Sequence, residues 1–337
     1  MITKLTASLA VAVAIAGLHA QAPASGVLLV LAKTDRTLSV VDPATLKVTG
    51  HVPSGPDPHE VAVSADGRTA YIANYNGGGN IITVVDLVAM KTLAPIDLGP
   101  LRAPHGLDFV GGKLWFTAEA AKAIGSYDPA AGKVDWILGT GQDRTHMIAV
   151  EKDLKWMVTS NIGSATMTFV ERRTVEGRGR GGGGGPQTDW SETIIPVGRG
   201  AEGFDVRPDG REIWAGNAQD GTVSIVDLAT RRVTATLQAD VGGANRLKFT
   251  PDGKLVFVST LSGPDLVIID TASRKTVKRL PLGRGAAGIQ MQPDGARAYV
   301  SVTPDDYVAV IDLKTLTAAG RIDAGRQPDG LAWVPRR

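Results

Sequence analysis

Residues 71–86 read YIANYNGGGNIITVVD. They hold a short run, Tyr71-Ile72-Ala73-Asn74, then a turn region of glycine and asparagine, then an apolar run closing on an acid, Val84-Val85-Asp86. Short apolar runs bounded by turn residues predict strands. Moving outward, the closing motif recurs as Val40-Val41-Asp42, Ser126-Tyr127-Asp128, Phe169-Val170-Glu171, Ile225-Val226-Asp227, Ile268-Ile269-Asp270 and Val310-Ile311-Asp312. Successive acids lie 44, 42, 43, 56, 43 and 42 residues apart. The upstream run recurs with them, starting at Leu29, Trp115, Met157, Trp214, Phe257 and Tyr299, always 13 to 15 residues before the acid.

A third register precedes these two. With His59, His105, His146, Glu202, Asn245, Ala287 and Asp329 as position zero, positions +2 and +4 are apolar in all seven copies, from Val61 and Val63 to Leu331 and Trp333. That is the period-two pattern of a strand with one buried face. Asp66-Gly67, Asp209-Gly210, Asp252-Gly253 and Asp294-Gly295 follow such strands and mark hairpins. The acids closing the third strand begin tight turns, where a carboxylate can accept backbone amides, and we read them as structural.

Four short strands about every 43 residues, without helical periodicity, predict an all-β fold: a seven-bladed β-propeller of four-stranded antiparallel blades. A β-sandwich would share the strand spacing but not the sevenfold register. Strands near 27–32, 37–42 and 46–52 supply three quarters of the first blade. The missing innermost strand comes from 329–334, so the C-terminal strand closes the ring against the N-terminal blade. The repeat resembles the YVTN-type propeller family, over about residues 27–334. That resemblance implies the fold and leaves function open, because such repeats serve enzymes, carriers and surface proteins alike.

The domain reading is a signal peptide over 1–20, a short segment over 21–26 and one propeller domain over 27–337. Lys4 precedes an apolar stretch from Leu5 to Leu18 that is short for a bilayer span, and Ala20 suits the residue before a cut. The expectation is a periplasmic or secreted protein with no membrane span after processing, and a monomer. The full chain has 337 residues, a formal charge of +2 and no cysteine. Near-neutral charge argues against a nucleic-acid partner. The lack of cysteine excludes disulfides, thiolate metal sites and a thiol nucleophile. The 56-residue spacing hides an insertion read as a flexible glycine-rich loop over 172–189, between the third and fourth strands of its blade.

Innermost propeller strands line a central channel, so the position-zero residues should form a ring at one mouth. His59, His105, His146 and Glu202 then form a candidate site for one divalent metal ion, since imidazole and carboxylate suit zinc, copper, iron or manganese. Asn245 and Asp329 complete the polar ring. Arg102, Arg199, Arg284 and Arg326, each three residues before position zero, form a candidate rim for a carboxylate or phosphate. Arg144 and Arg246 lie nearby. Asn74, Glu119, Asn161 and Asn217, in loops on the same face, are either further oxygen ligands or turn formers, with turns favoured. The segments Ala103-Pro104-His105-Gly106-Leu107-Asp108, Leu114-Trp115-Phe116-Thr117 and Ile124-Gly125-Ser126-Tyr127-Asp128-Pro129 resemble one blade of virginiamycin B lyase-like propellers. Those enzymes hold a divalent metal at the channel mouth and use a nearby histidine as base. Two functions therefore stand as expectations. One is non-catalytic binding of an anionic small molecule, a peptide or a partner loop at the mouth. The other is a metal-dependent lyase or hydrolase.

Overall fold

Apolar alternation commits each repeat to a strand that must bury one face. A computed structural model describes residues 26–75, 78–175 and 187–335 and shows how the seven repeats do it. They form seven antiparallel sheets, each running outward from an innermost strand. The innermost strands are Pro58–Val63, Pro104–Val110, Thr145–Val150, Ala201–Val206, Ala244–Phe249, Ile289–Met291 and Pro328–Pro335. The chain is thus an all-β seven-bladed propeller with four-stranded blades. The last strand pairs with Gly26–Ala32, in the register Leu28↔Trp333, Leu29↔Ala332 and Val30↔Leu331, which closes the ring.

The fourteen apolar residues at +2 and +4 are all buried or half-buried. They pack between neighbouring blades: Trp214, Val223 and Ile225 of the fifth blade meet Leu247, Phe249 and Val256 of the sixth. Outermost strands instead alternate exposed and half-buried residues, as in Lys133–Gly139. The core is therefore a set of wedges between sheets, and each blade is stabilised by its two neighbours.

The turns follow the sequence closely. The Gly67 amide donates to the Ser64 carbonyl, Gly67 takes a φ of 72°, and Asp66 accepts the Arg68 amide. The other three Asp-Gly turns repeat the carboxylate-to-amide bond. Among the third-strand acids, Asp42, Asp86, Asp128, Asp227, Asp270 and Asp312 each accept backbone amides of their own turn. Glu171 is the exception; it pairs with Arg173 and Arg231 instead.

Glu171 differs because its hairpin does not turn there. Thr166–Val175 and Gln187–Pro196 are ten residues each and stay paired out to Val175↔Gln187. The ends of the 172–189 stretch are therefore strand, a correction to the loop expected there. Pairs such as Arg172↔Trp190 and Thr174↔Thr188 extend the ladder. Residues 176–186, the glycine-rich centre of that stretch, lie outside the described residues, as do the signal peptide read over 1–20 and its cut after Ala20. The second blade carries an irregularity the sequence reading missed: its outer strand is split into Lys91–Thr92 and Ile96–Asp97. Among the described residues, no helix is long and apolar enough to cross a membrane.

Candidate functional site

Strand alternation alone would point position zero toward the same wedge as +2 and +4. A β-bulge resolves the conflict. In six of the seven inner strands the register slips just at position zero, as between Pro58 and Glu60 and between Thr145 and Ile148. The extra residue re-aims the side chains there while +2 and +4 keep facing the core. At position +1 four blades carry glycine, because the strand abuts the next blade. A Cβ on Gly106 would lie 2.6 Å from the His146 carbonyl oxygen, and one on Gly288 would lie 2.1 Å from that of Asp329. The hydroxyls of Thr117, Ser160, Ser259 and Ser301 donate to position-zero carbonyls of the following blade, fixing the ring from behind.

All seven position-zero residues line one cavity of about 170 Å³ at the channel mouth. His59, His105 and His146 follow one another around the wall. Ring centres of His59 and His105 are 5.3 Å apart, and those of His105 and His146 only 3.7 Å. Glu202 accepts a hydrogen bond from Asn245 Nδ2 at 2.5 Å, and its Oε1 lies 3.8 Å from His146 Nε2. Asp329 pairs with Lys33 Nζ at 2.5 Å.

Of the second ring expected from Asn74, Glu119, Asn161 and Asn217, Glu119 is in step and the three asparagines are one residue early. In five of the seven blades the residue just after the second strand, not the last residue in it, adjoins the site: Lys33, Tyr75, Glu119, Leu261 and Thr303. Asn74 and Asn161, the strand-end residues, are turned inward. Asn74 bonds Ser54, Pro56 and Thr83, and Asn161 bonds Thr166 and Thr168. Asn217 likewise donates to Thr222 and Ser224. The three asparagines tie their strands to neighbouring strands and loops, whereas Glu119 reaches the site. A one-residue slip exchanges the two faces of a strand, and nothing in composition marks that step.

Glu119 is buried. It accepts Arg144 Nε at 2.5 Å and sits 3.3 Å from His146 Nδ1. Burial pushes its carboxyl up, but the hydrogen bonds and charges of His146 and Arg144 outweigh this and hold it at about 2. Because the carboxylate is ionised, the bond at 3.3 Å needs Nδ1–H of His146 as donor, which turns Nε2 toward the cavity. Burial pushes the His105 imidazole well below its usual range, with His146 and Arg246 adding to it. Burial, then the charge of Glu119, raises the Tyr75 phenol.

The floor is Arg246. It is on the inner strand and buried, donating Nε and Nη2 to Glu60 across the channel and Nη1 to the Asn245 carbonyl. Burial works against its charge, but Glu60, Asp329 and Glu202 outweigh burial and raise its pKa. Below the ion pair lies another cavity of about 420 Å³, lined by Asp108, Asp205, Lys248 and Gln290 at position +3. The pair thus divides the channel in two.

The rim arginines do not join the site. Arg199, Arg284 and Arg326 each donate backbone N–H and Nε to one aspartate: Asp220, Asp305 and Asp35. Arg102 donates to the Gly78 carbonyl. None of the four lines the cavity. They clamp neighbouring loops, and the anion rim expected from them is not formed at the mouth.

Metal ligation meets a geometric obstacle. Two imidazoles bound to one ion at about 2.1 Å hold their ring centres about 4.5 Å apart or more. The His105 and His146 rings, tilted 31° to one another, are closer than that. Among the described residues no three His, Asp or Glu side chains are arranged around one ion position. His59, His105, His146 and Glu202 share the cavity but in this arrangement do not fit a common ion.

The cavity nevertheless asks for an occupant. His105 Nδ1, His146 Nε2 and Asn245 Oδ1 are buried and have no hydrogen-bond partner. Leaving such groups unpaired costs about 1–3 kcal/mol each, so native proteins seldom do it without a reason.

Fold and site define the class: a seven-bladed β-propeller, consistent with the YVTN-type repeat, with a polar, partly unsatisfied channel mouth. The family of YNCE-like β-propellers matches residues 184–297. No curated protein matches the chain. Similar solved structures include a functionally unknown protein from Desulfotomaculum acetoxidans, at 14% identity and TM-score 0.73, covering 93% of this chain and 100% of that one. Another, from Bacteroides uniformis, is described as a candidate 6-phosphogluconolactonase; it has 14% identity and TM-score 0.72, covering 92% and 99%. A third is the dihydro-heme d1 dehydrogenase NirN in complex with DHE, at 16% identity and TM-score 0.62, covering 88% of this chain and 63% of that one. At these identities the likeness shows the fold alone.

Proposed function

We propose that this is an exported, non-catalytic binding propeller that holds a small polar molecule in the channel mouth formed by His59, His105, His146, Glu202, Asn245 and Asp329. One observation carries the reading: three buried polar atoms without partners, on three different blades, converge on a single cavity. Among the described residues Asn217 Oδ1, Arg231 Nε and Trp333 Nε1 are also buried without partners, but they are scattered, and only at the mouth do several gather on one cavity. The blind end at Arg246 and Glu60 suits a ligand that enters and leaves by one opening.

The catalytic alternative, a metal-dependent lyase or hydrolase, draws on the same residues. One feature supports it: the ionised Glu119 behind His146 is the kind of carboxylate that orients metal-bound or proton-accepting histidines. It requires the closely packed pair of imidazoles to separate.

The test uses full-length processed protein. Thermal stability is followed against a panel of small polar metabolites, in wild type and in Asn245→Leu. At least one compound should stabilise the wild type and bind about ten-fold more weakly to the variant. Equal shifts in both proteins, or none in either, would sink the reading. Elemental analysis runs alongside. Stoichiometric divalent metal that disappears in the His105→Ala/His146→Ala double variant would transfer the conclusion to the metal-dependent enzyme.

A further inference from the structure

The sign of the ligand can be read from which groups at the mouth are already matched. Three permanent cations adjoin the cavity, and each has a closer carboxylate than Glu202: Lys33 has Asp329, Arg144 has Glu119 and Arg246 has Glu60. Among the described residues Glu202 has no such mate; the one basic group closer to it is the titratable His146, with Nε2 at 3.8 Å. The nearest permanent cation to Glu202 is Arg246 Nη1 at 4.0 Å, and the carboxylate's hydrogen bond comes from the neutral amide of Asn245.

The unpartnered atoms point the same way. Asn245 must present Nδ2 to Glu202, because its oxygen there would face a carboxylate; Oδ1 is therefore the atom left over, and it can only accept. Asn245 is 7% exposed and lines the cavity. His146 presents Nε2 beside them, with its Nδ1–H committed to Glu119. The opposite wall is aromatic. Tyr75 has its ring centre 5.1 Å from that of His59 and 5.6 Å from that of His105. A carboxylate, a bare amide oxygen and a ring wall are the elements that recognise an ammonium group, by charge, hydrogen bonding and cation–π attraction.

We propose that the ligand carries a primary amine, seated between Glu202 and Asn245 Oδ1 with the Tyr75 side as its wall. This replaces the anion expected from the rim arginines and rests on the reading that the mouth binds a small molecule. Binding is non-covalent, and no bond changes are involved.

The test is a calorimetric or NMR titration of the full chain with three probes of one size: ethanolamine, ethylene glycol and glycolate. Ethanolamine is expected to bind at least about ten-fold more tightly than the other two. Glu202→Gln, which keeps the shape, should weaken ethanolamine by about ten-fold or more and leave ethylene glycol nearly unchanged. Equal binding of amine and diol overturns the proposal, as does tighter binding of glycolate or an unchanged affinity in Glu202→Gln. In those cases a Asn245-dependent response in the metabolite panel would still uphold the channel-mouth site. Failure of both experiments removes the site as well. Magnesium and zinc chlorides are titrated as a further arm, and displacement of ethanolamine by either would overturn the amine in favour of a metal.

Discussion

The sevenfold repeat places polar residues in two circles, and the two behave in opposite ways. The acids closing the third strands lie at the surface; six of seven are aspartates making the same bonds to their own turn amides. The position-zero residues are no two-residue motif repeated seven times but His, His, His, Glu, Asn, Ala and Asp, and three of their atoms are buried without partners. A polar group that recurs unchanged and satisfied is holding the fold. A set that varies from blade to blade and remains unsatisfied is what the fold has been left to hold.

The largest way to break that comparison is at the channel septum, where Arg246 and Glu60 of the inner strands pair across the channel. Arg246→Ala leaves the half-buried Glu60 carboxylate without its partner and should cost about 3 kcal/mol in denaturant unfolding. The Arg246→Leu/Glu60→Leu double variant should recover most of it. A loss below about 1 kcal/mol in the single variant would show that Glu60 is readily rehydrated and that the channel is not sealed.

Much of this is legible in the sequence. Strand positions, blade count, ring closure and the convergence of His59, His105, His146, Glu202, Asn245, Ala287 and Asp329 followed from counting residues, because a repeat converts sequence spacing into angular position. What escaped was local and depends on contacts between blades. The bulge at position zero, the one-residue step that brings Tyr75 and Lys33 to the mouth instead of Asn74, and the reach of Arg246 across the channel to Glu60 leave no trace in periodicity. The rim arginines misled for the same reason. Their partners Asp220, Asp305 and Asp35 lie in other loops, so commitment could not be told from availability.

A middle-sized test concerns pH. Glu119 is held at about 2, below its ordinary value of 4.5. A carboxylate with a depressed folded value contributes stability that is complete above the unfolded value and is lost as pH falls through the folded one. Wild type should therefore lose about 2 kcal/mol from this group between pH 5 and pH 2, the figure reduced for partial solvent screening. The turn aspartates will add acid sensitivity of their own, so the quantity to measure is the difference between wild type and Glu119→Gln across that range. A difference that does not shrink toward pH 2 would mean that Arg144 and His146 do not hold the carboxylate as the geometry indicates.

The smallest effect separates the two circles most sharply, because the expected signs are opposite. Asp312 accepts the amides of Lys314 and Thr315 at 2.9 and 2.7 Å, so Asp312→Ala removes turn bonds and should cost about 1 kcal/mol. His105 is buried, with Nδ1 unpartnered and its imidazole disfavoured as a cation by burial. Replacing an unsatisfied buried polar group with an apolar one of similar size removes a penalty instead of a bond. His105→Leu should therefore be neutral or more stable by up to about 1 kcal/mol, while ligand binding at the mouth weakens. Stability given up at a binding site is the usual mark of function. Should His105→Leu destabilise the protein as Asp312→Ala does, the histidine circle is a structural device like the aspartate one, and the distinction between them disappears.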